Sequence, residues 1–265
     1  MFEVYTEGNK LAASADTFSW FLRKSGTGTT TTRASGNSSP SSARVPNGGI
    51  SYINKLVAIR IDGGYGAAPL SGDLNNFFFC TDAPIGTGFS YYIYDRLTNA
   101  QVSNSGLEVR DASDTLVFSA NYRPAKILAM LGTPTGQGYT PSGFYADPTS
   151  ATFTGKTLAF ACLSFAGHNR SGPLGADRCN NIEGIYDGLD YCDNWQGNND
   201  GKLYGAAISG STVTATPVSF DDVIVDYGPG TKMDIDAARD ATEWQIPSKI
   251  FVLDVTGVPL GQTFF

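Results

Sequence analysis

Val57, Ile59 and Ile61 alternate with Ala58 and Arg60, the period-two pattern of a strand with one buried face. Short runs of this kind recur along the chain. Phe2–Tyr5 is followed by the polar turn Glu7-Gly8-Asn9 and then Lys10-Leu11, which reads as a hairpin. Thr17–Leu22, Asn76–Cys80 and Phe89–Tyr94 are further strand candidates, the last two separated by Pro84, Gly86 and Gly88. Gly106–Arg110 and Leu116–Ser119 flank the polar turn Asp111-Ala112-Ser113-Asp114 and read as a second hairpin. Lys126–Leu131 is an apolar run, and strands are expected near 151–165, 202–208, 212–218, 221–226 and 249–255. Only Asp234–Gln245 carries a helical pattern, with an acidic residue at its start to meet the helix dipole.

Two stretches lack the alternation. From Ser25 to Gly48 nearly every residue is Gly, Ser, Thr, Pro or Asn. That composition predicts a low-complexity loop over 25–48, with an edge extension or a mobile segment as the other readings, ordered by a partner chain if at all. Residues 132–150, rich in Gly, Pro, Thr and Ser, mark a boundary. The expectation is an all-β, β-sandwich-like chain with at most one short helix. It would fall into two β-rich domains, 1–131 and 151–265, joined by a linker at 132–150.

Composition sharpens the fold class. Charged residues are 16% of the chain, against roughly 25% in average globular proteins. Hydrophobic residues at 41% and aromatics at 12% supply a core, which excludes a disordered chain. With net charge −7 and only 18 Lys and Arg, the chain does not attract phosphate backbones, so nucleic acid is not an expected partner. No stretch approaches the roughly 20 apolar residues of a membrane span, so no membrane insertion is expected. Met1–Glu7 lacks the basic and apolar blocks of a secretory signal, and synthesis and folding in a cytosol are expected.

In Phe89–Tyr94, Phe89, Tyr91 and Ile93 share one face, and Ser90, Tyr92 and Tyr94 share the other. Tyrosines on a half-exposed face suit cross-strand pairing, and Tyr92 and Tyr94 are also candidate interface residues.

Candidate chemistry is thin. The cysteines at 80, 162, 179 and 192 contain no C-x-x-C pair, and a zinc site would need Cys179, Cys192 and His168 to converge. Cys80 and Cys162 lie in apolar runs and read as buried small hydrophobes. A Cys179–Cys192 disulfide is geometrically allowed but disfavoured in a reducing compartment. His168, in the Gly-flanked polar loop 166–172, is the single base available to a Ser-His-Asp triad, and no Gly-x-Ser-x-Gly elbow precedes it. Gly63-Gly64-Tyr65-Gly66 lacks the Lys-Ser/Thr of a phosphate loop. Glycan hydrolysis would need two carboxylates from among Asp187, Asp190, Asp193, Asp221 and Asp222. The expectation is a protein that is not an enzyme and uses no cofactor and no metal.

The most distinctive polar cluster spans residues 187–201. Asp187, Asp190, Asp193, Asn194 and Asp200 put oxygens near glycine turns, as a hard cation requires, although the spacing and closing Glu of a calcium loop are missing. Tyr191 and Trp195 suit stacking on sugar faces. This loop is the candidate glycan or cation site, and a solvated turn-rich loop is the alternative.

There is also an internal echo. Phe2-Glu3-Val4, Leu11 and Ser14 align without gaps with Leu107-Glu108-Val109, Leu116 and Ser119. Chance convergence of two hairpins is the competing reading. The second copy, Gly106-Leu107-Glu108-Val109-Arg110-Asp111-Ala112-Ser113-Asp114-Thr115-Leu116-Val117-Phe118-Ser119, resembles a phrase common in tail proteins of tailed bacteriophages. That phrase runs Gly-Leu-x-Val-aromatic-Asp/Asn-Ala-x-Gly and then a short apolar strand. Such proteins often open with it, as Met1–Tyr5 does here, and Tyr204–Thr214 is similar to another of their phrases. Arg110 replaces the usual aromatic, and Asp114 sits where a turn Gly is expected.

The resemblance implies a structural component of the virion's distal tail, in a baseplate, tail tip or fibre. Its partners would be copies of itself and other virion tail proteins, assembled in the host cytoplasm, with attachment to a host-surface receptor as a further role. It carries no catalytic residues. A receptor- or carbohydrate-binding module using the 187–201 loop is the alternative, and a tail-associated glycan hydrolase a more distant one.

Overall fold

The structure is a computed structural model that describes residues 3–5, 11–14, 19–32, 41–46, 55–72, 75–98, 106–132, 149–163, 167–173, 182–186, 189–192, 196–226, 230–231, 244–245 and 249–265. Every regular element among them is a strand. In chain order these are β1 (Glu3–Tyr5), β2 (Leu11–Ser14), β3 (Phe21–Thr29), β4 (Ser41–Pro46), β5 (Leu56–Ile61), β6 (Gly66–Gly72) and β7 (Asn76–Thr81). There follow β8 (Gly88–Asp95), β9 (Glu108–Arg110), β10 (Leu116–Ser119), β11 (Ile127–Gly132), β12 (Ser150–Thr152), β13 (Leu158–Cys162) and β14 (Gly167–Pro173). The last are β15 (Ile182–Tyr186), β16 (Leu189–Cys192), β17 (Gln196–Ser209), β18 (Thr212–Asp226), β19 (Gly230–Thr231), β20 (Trp244–Gln245) and β21 (Lys249–Asp254).

Two large antiparallel sheets form a β-sandwich-like body. One runs β11-β21-β13-β5-β8-β3; the other runs β12-β18-β17-β6-β7-β4, with β14 and β20 attached through β17. The alternation of each strand sends one row of side chains between the sheets. Ile59, Ile61, Phe89, Tyr91, Ile93, Phe160 and Val252 of the first sheet meet Val45, Phe77, Phe79, Ala206, Ile208 and Val213 of the second in one buried cluster.

This arrangement corrects the expected division into two domains. β5 pairs with β13 at Ile59↔Phe160, and β6 pairs with β17 at Ala67↔Ala206, so both sheets draw strands from either side of 132–150. Strands with one apolar face each gain more by burying against one another than by forming two smaller cores. The glycines and prolines of the expected linker report turn propensity, not where a core ends; residues 133–148 lie outside the described residues.

The low-complexity loop is corrected too. Residues 25–29 belong to β3 and residues 41–46 are β4, and both are border strands of their sheets, the edge reading of that stretch. The glycines have a packing reason. Gly26 and Gly28 stand directly opposite Tyr91 and Phe89, and a Cβ on either would lie 2.4 or 2.5 Å from the facing ring or its hydroxyl. Two backbone bonds between Thr31 and Ser42, at 2.9 and 2.8 Å, tie the borders of the two sheets together. Residues 33–40 lie outside the described residues.

The expected helix at 234–245 also falls outside them, except for Trp244–Gln245, which are strand β20 and pair with Asn169 and His168. His168 is therefore on a strand, not a loop. The separate strands expected at 212–218 and 221–226 are one strand, β18, in which a register shift leaves Phe220 unpaired between Ser219 and Asp221.

Both expected hairpins form. In β1–β2, Glu3 pairs with Ser14, Val4 with Ala13 and Tyr5 with Leu11; in β9–β10, Glu108 pairs with Ser119, Val109 with Phe118 and Arg110 with Leu116. The aligned residues thus occupy the same pairs, and each hairpin shifts register at the same place.

The β9–β10 turn explains its composition. The Asp111 carboxylate accepts from the Ser113 and Thr115 amides at 2.8 and 2.9 Å, and Asp114 has φ of 61°. A left-handed residue with a Cβ is strained, and glycine relieves that strain. The Arg110–Asp114 pair at 3.4 Å is exposed on the Asp side and adds little. Asp114→Gly is expected to raise stability by about 0.5 kcal/mol, or about 1–2 °C in Tm. A lower Tm by calorimetry would show that the aspartate contributes more than its strain costs.

Candidate functional site

The residues singled out in the sequence separate into three groups. Asp187, Asp193, Asn194 and Trp195 lie outside the described residues. Asp190 and Tyr191 are on β16, opposite Ile185 and Gly184, in a three-stranded sheet with β15 and β19. Asp200 is on β17, opposite Asp222 on one side and Arg170 on the other. The described members therefore sit in two different sheets, and those on β16 and β17 are strand residues, not parts of one continuous loop. Among the described residues no group of three or more His, Cys, Asp and Glu is placed to hold a metal, and no helix is long and apolar enough to cross a membrane.

Tyr92 and Tyr94 are corrected as interface residues. They are only 3% and 2% exposed. They pack with Leu22, Leu56, Ala58, Ala159, Ala161 and Leu253 on the outer face of the six-stranded sheet. This face looked half-exposed because its cover comes from residues distant in sequence: Trp20, Ala125, Val258 and Phe264 close over it. For the same reason β5 is covered on both faces, not on one.

The segment after β21 forms that cover. It leaves β21 at Val255, whose amide bonds to Thr157 O at 2.9 Å, and crosses the outer face to the free edge of β3. There it runs antiparallel to β3. The Ser25 amide donates to Gln262 O at 2.9 Å, the Gly261 amide to Ser25 O at 3.1 Å and the Phe264 amide to Arg23 O at 2.7 Å, around a bridge between Lys24 and Thr263. The Ser25 hydroxyl donates to Pro259 O at 2.6 Å. The Phe265 ring packs edge-on to Tyr122 at 5.0 Å and under the Arg23 guanidinium at 5.3 Å. An edge that would otherwise expose a row of backbone donors and acceptors is thus satisfied within the chain.

Asp95, at the end of β8, fixes the same corner. Its carboxylate, 9% exposed, takes Arg23 Nη1 at 3.1 Å, Lys55 Nζ at 2.5 Å and the Arg96 amide at 2.8 Å. The buried Nε of Arg23 has no partner among the described residues.

Beneath the root of this covering strap, residues 256–265, is a cavity of about 140 Å³, lined by Tyr94, Arg123, Lys126, Asp254, Thr256 and Val258. Arg123 Nη1 donates to Gly257 O at 2.8 Å and so ties its rim to the strap. Burial, and then the neighbouring Tyr92, push the Tyr94 hydroxyl above the ordinary tyrosine range, outweighing Arg123. It stays protonated at neutral pH.

Burial on its own would raise the Asp254 carboxyl, but the Thr256 hydroxyl and amide and Lys156 Nζ at 3.0 Å outweigh it and hold the group below its usual range. A carboxylate that ionises at lower pH when folded stabilises the fold fully at neutral pH, and the gain disappears as pH falls through the lowered value. Asp254→Asn is therefore expected to melt below the parent at pH 7 and to converge with it in acid. Parallel melting curves at pH 7 and in acid would contradict this.

Cys80 and Cys162 are free thiols. Burial pushes the Cys162 thiol up to about 12, so it carries almost no thiolate at pH 8. Iodoacetamide is expected to leave Cys162 unmodified in the folded chain at pH 8 and to alkylate it after urea unfolding, as read by peptide mass. Full alkylation without urea would contradict the raised thiol, since Cys162 is only partly buried. Cys179 lies outside the described residues, and Cys192 is on β16.

The strap and the β3 edge gave no periodic signal of their own. The last expected strand ends at 255, and the residues that follow carry no expected element. Compared with protein-family models, with curated proteins and with solved structures, the chain finds no match in any of the three.

Proposed function

We propose that the chain is a structural component of a tailed-phage virion, in the distal tail as a baseplate, tail-tip or fibre subunit. It acts by oligomeric assembly, with attachment to a host-surface receptor as a further role. The observation that carries the reading is the β9–β10 hairpin. Its sequence resembles the tail-protein phrase, and its turn holds Asp114 in the left-handed conformation at the place where that phrase has glycine. The β1–β2 hairpin repeats it pair for pair. Support also comes from the low charge of the body and from β11, a border strand that leaves Ile127 and Met130 43% and 39% exposed, as a surface for a neighbour.

The mechanism is burial of sheet borders and apolar side chains against copies of the chain and other tail proteins. Two measurements test it together: sedimentation of the purified chain, and gold-labelled antibody on purified virions. A closed oligomer and label at the tail end support the reading. A monomer at high concentration, with unlabelled virions, contradicts it.

A further inference from the structure

We propose that residues 256–265 are an exchangeable strand: the groove they fill along β3 also takes the same segment from a second copy, so that copies join by reciprocal strand exchange. This rests on the assembly reading above and names the surface and the partner.

β3 is hydrogen-bonded to β8 on one side, and its other side at Arg23–Ser25 is closed by a segment that no other strand of the six-stranded sheet flanks. That segment is joined to the body through the short turn after Asp254, where Gly257 takes φ of 68°. Its grip on β3 consists of the three backbone bonds, the Ser25 hydroxyl bond to Pro259 and the seating of Phe264 and Phe265. Each of these contacts is reproduced when the segment arrives from another copy, since the donor and groove are identical in every chain. Exchange then alters only the turn at 256–258, and the remaining cost is that of association, which high local concentration in a growing particle lowers. The groove is selective for an extended strand that carries an aromatic pair, because the Phe265 ring sits between Tyr122 and the Arg23 guanidinium.

The geometry supplies its own probe. The amide and carbonyl bonds flank Lys24 and Thr263 without joining them, which makes this a non-hydrogen-bonded antiparallel pair. Cα atoms in such pairs are about 4.5 Å apart, within reach of a disulfide. Lys24→Cys and Thr263→Cys are placed on separate, differently tagged chains in a Cys179→Ser, Cys192→Ser background and co-expressed. After oxidation, a covalent band at the mass of two chains and carrying both tags is expected. The Lys24→Cys, Thr263→Cys double variant checks the pairing itself by closing a disulfide.

If the double variant closes only within single chains and the mixed chains give no joint band, exchange is overturned. If the double variant forms no disulfide at all, the segment does not seat on β3 and the proposal is likewise overturned. Oligomers of the parent chain without the joint band would overturn exchange alone, and absence of oligomers would overturn the assembly reading with it.

Discussion

Gly205→Ala is expected to cost about 3 kcal/mol or more, a large share of the roughly 5–15 kcal/mol by which a folded chain is usually stable. A Cβ at this position would lie 1.8 Å from the carbonyl oxygen of Ala67 and 2.7 Å from the Cα of Ala68. These are backbone atoms of β6, so no side-chain rotation relieves the overlap. Strand β6 would have to leave β17, breaking the ladder at Ala67↔Ala206 and Gly66↔Ala207. That ladder is one of three among the described residues, with β5–β13 and β11–β21, that join strands on either side of 132–150, and the buried cluster containing Ala67, Ala206 and Ile208 would open with it. Gly210→Ala is the matched comparison: its φ is 57°, but nothing lies within 4 Å, so only backbone strain of about 1 kcal/mol is expected. Urea unfolding of the two variants decides the matter. Equal and small losses would mean that β6 and β17 do not meet at this glycine.

The second large effect is at Asp95. Asp95→Ala removes the carboxylate that Arg23 and Lys55 share and that accepts from the Arg96 amide. Removing one partner from a buried ionic group costs about 3–5 kcal/mol. Here the two cations keep some contact with water, at 29% and 15% exposure, which places the expected loss near the lower end, about 3 kcal/mol and about 6–12 °C in Tm. The loss should also be local. Arg23 carries both the carboxylate contact and the Phe265 ring, so the strap loosens with it. Faster hydrogen exchange at the Ser25 and Phe264 amides is the expected pattern. A melting temperature within 2 °C of the parent, against the 2–4 °C expected per kcal/mol, would show that the cations find other partners.

Much of the fold is legible from local patterns. Val57–Ile61 and Phe89–Tyr94 carry the alternation that puts one row of side chains between the sheets, and both hairpins are announced by their turn residues. What escapes is what depends on a distant partner. Gly26 and Gly28 read as loop, yet their missing side chains are the complement of the Tyr91 and Phe89 rings on the next strand. Tyr92 and Tyr94 read as half-exposed because Val258 and Phe264, which cover them, come from the far end of the chain. The two-domain expectation fails for a similar reason: turn composition at 132–150 marks a break in local structure, while the Ile59↔Phe160 pair spans it. Of the candidate site, Asp190, Tyr191 and Asp200 fall on strands, where their spacing follows sheet pairing and not a loop.

The measurement that tests the central claim most directly is a cryo-electron microscopy reconstruction of the virion tail from particles that encode this chain. The account predicts density for the six- and eight-stranded sandwich, repeated under the tail's symmetry at its distal end and joined border to border. A distal tail fully accounted for by other chains would contradict it.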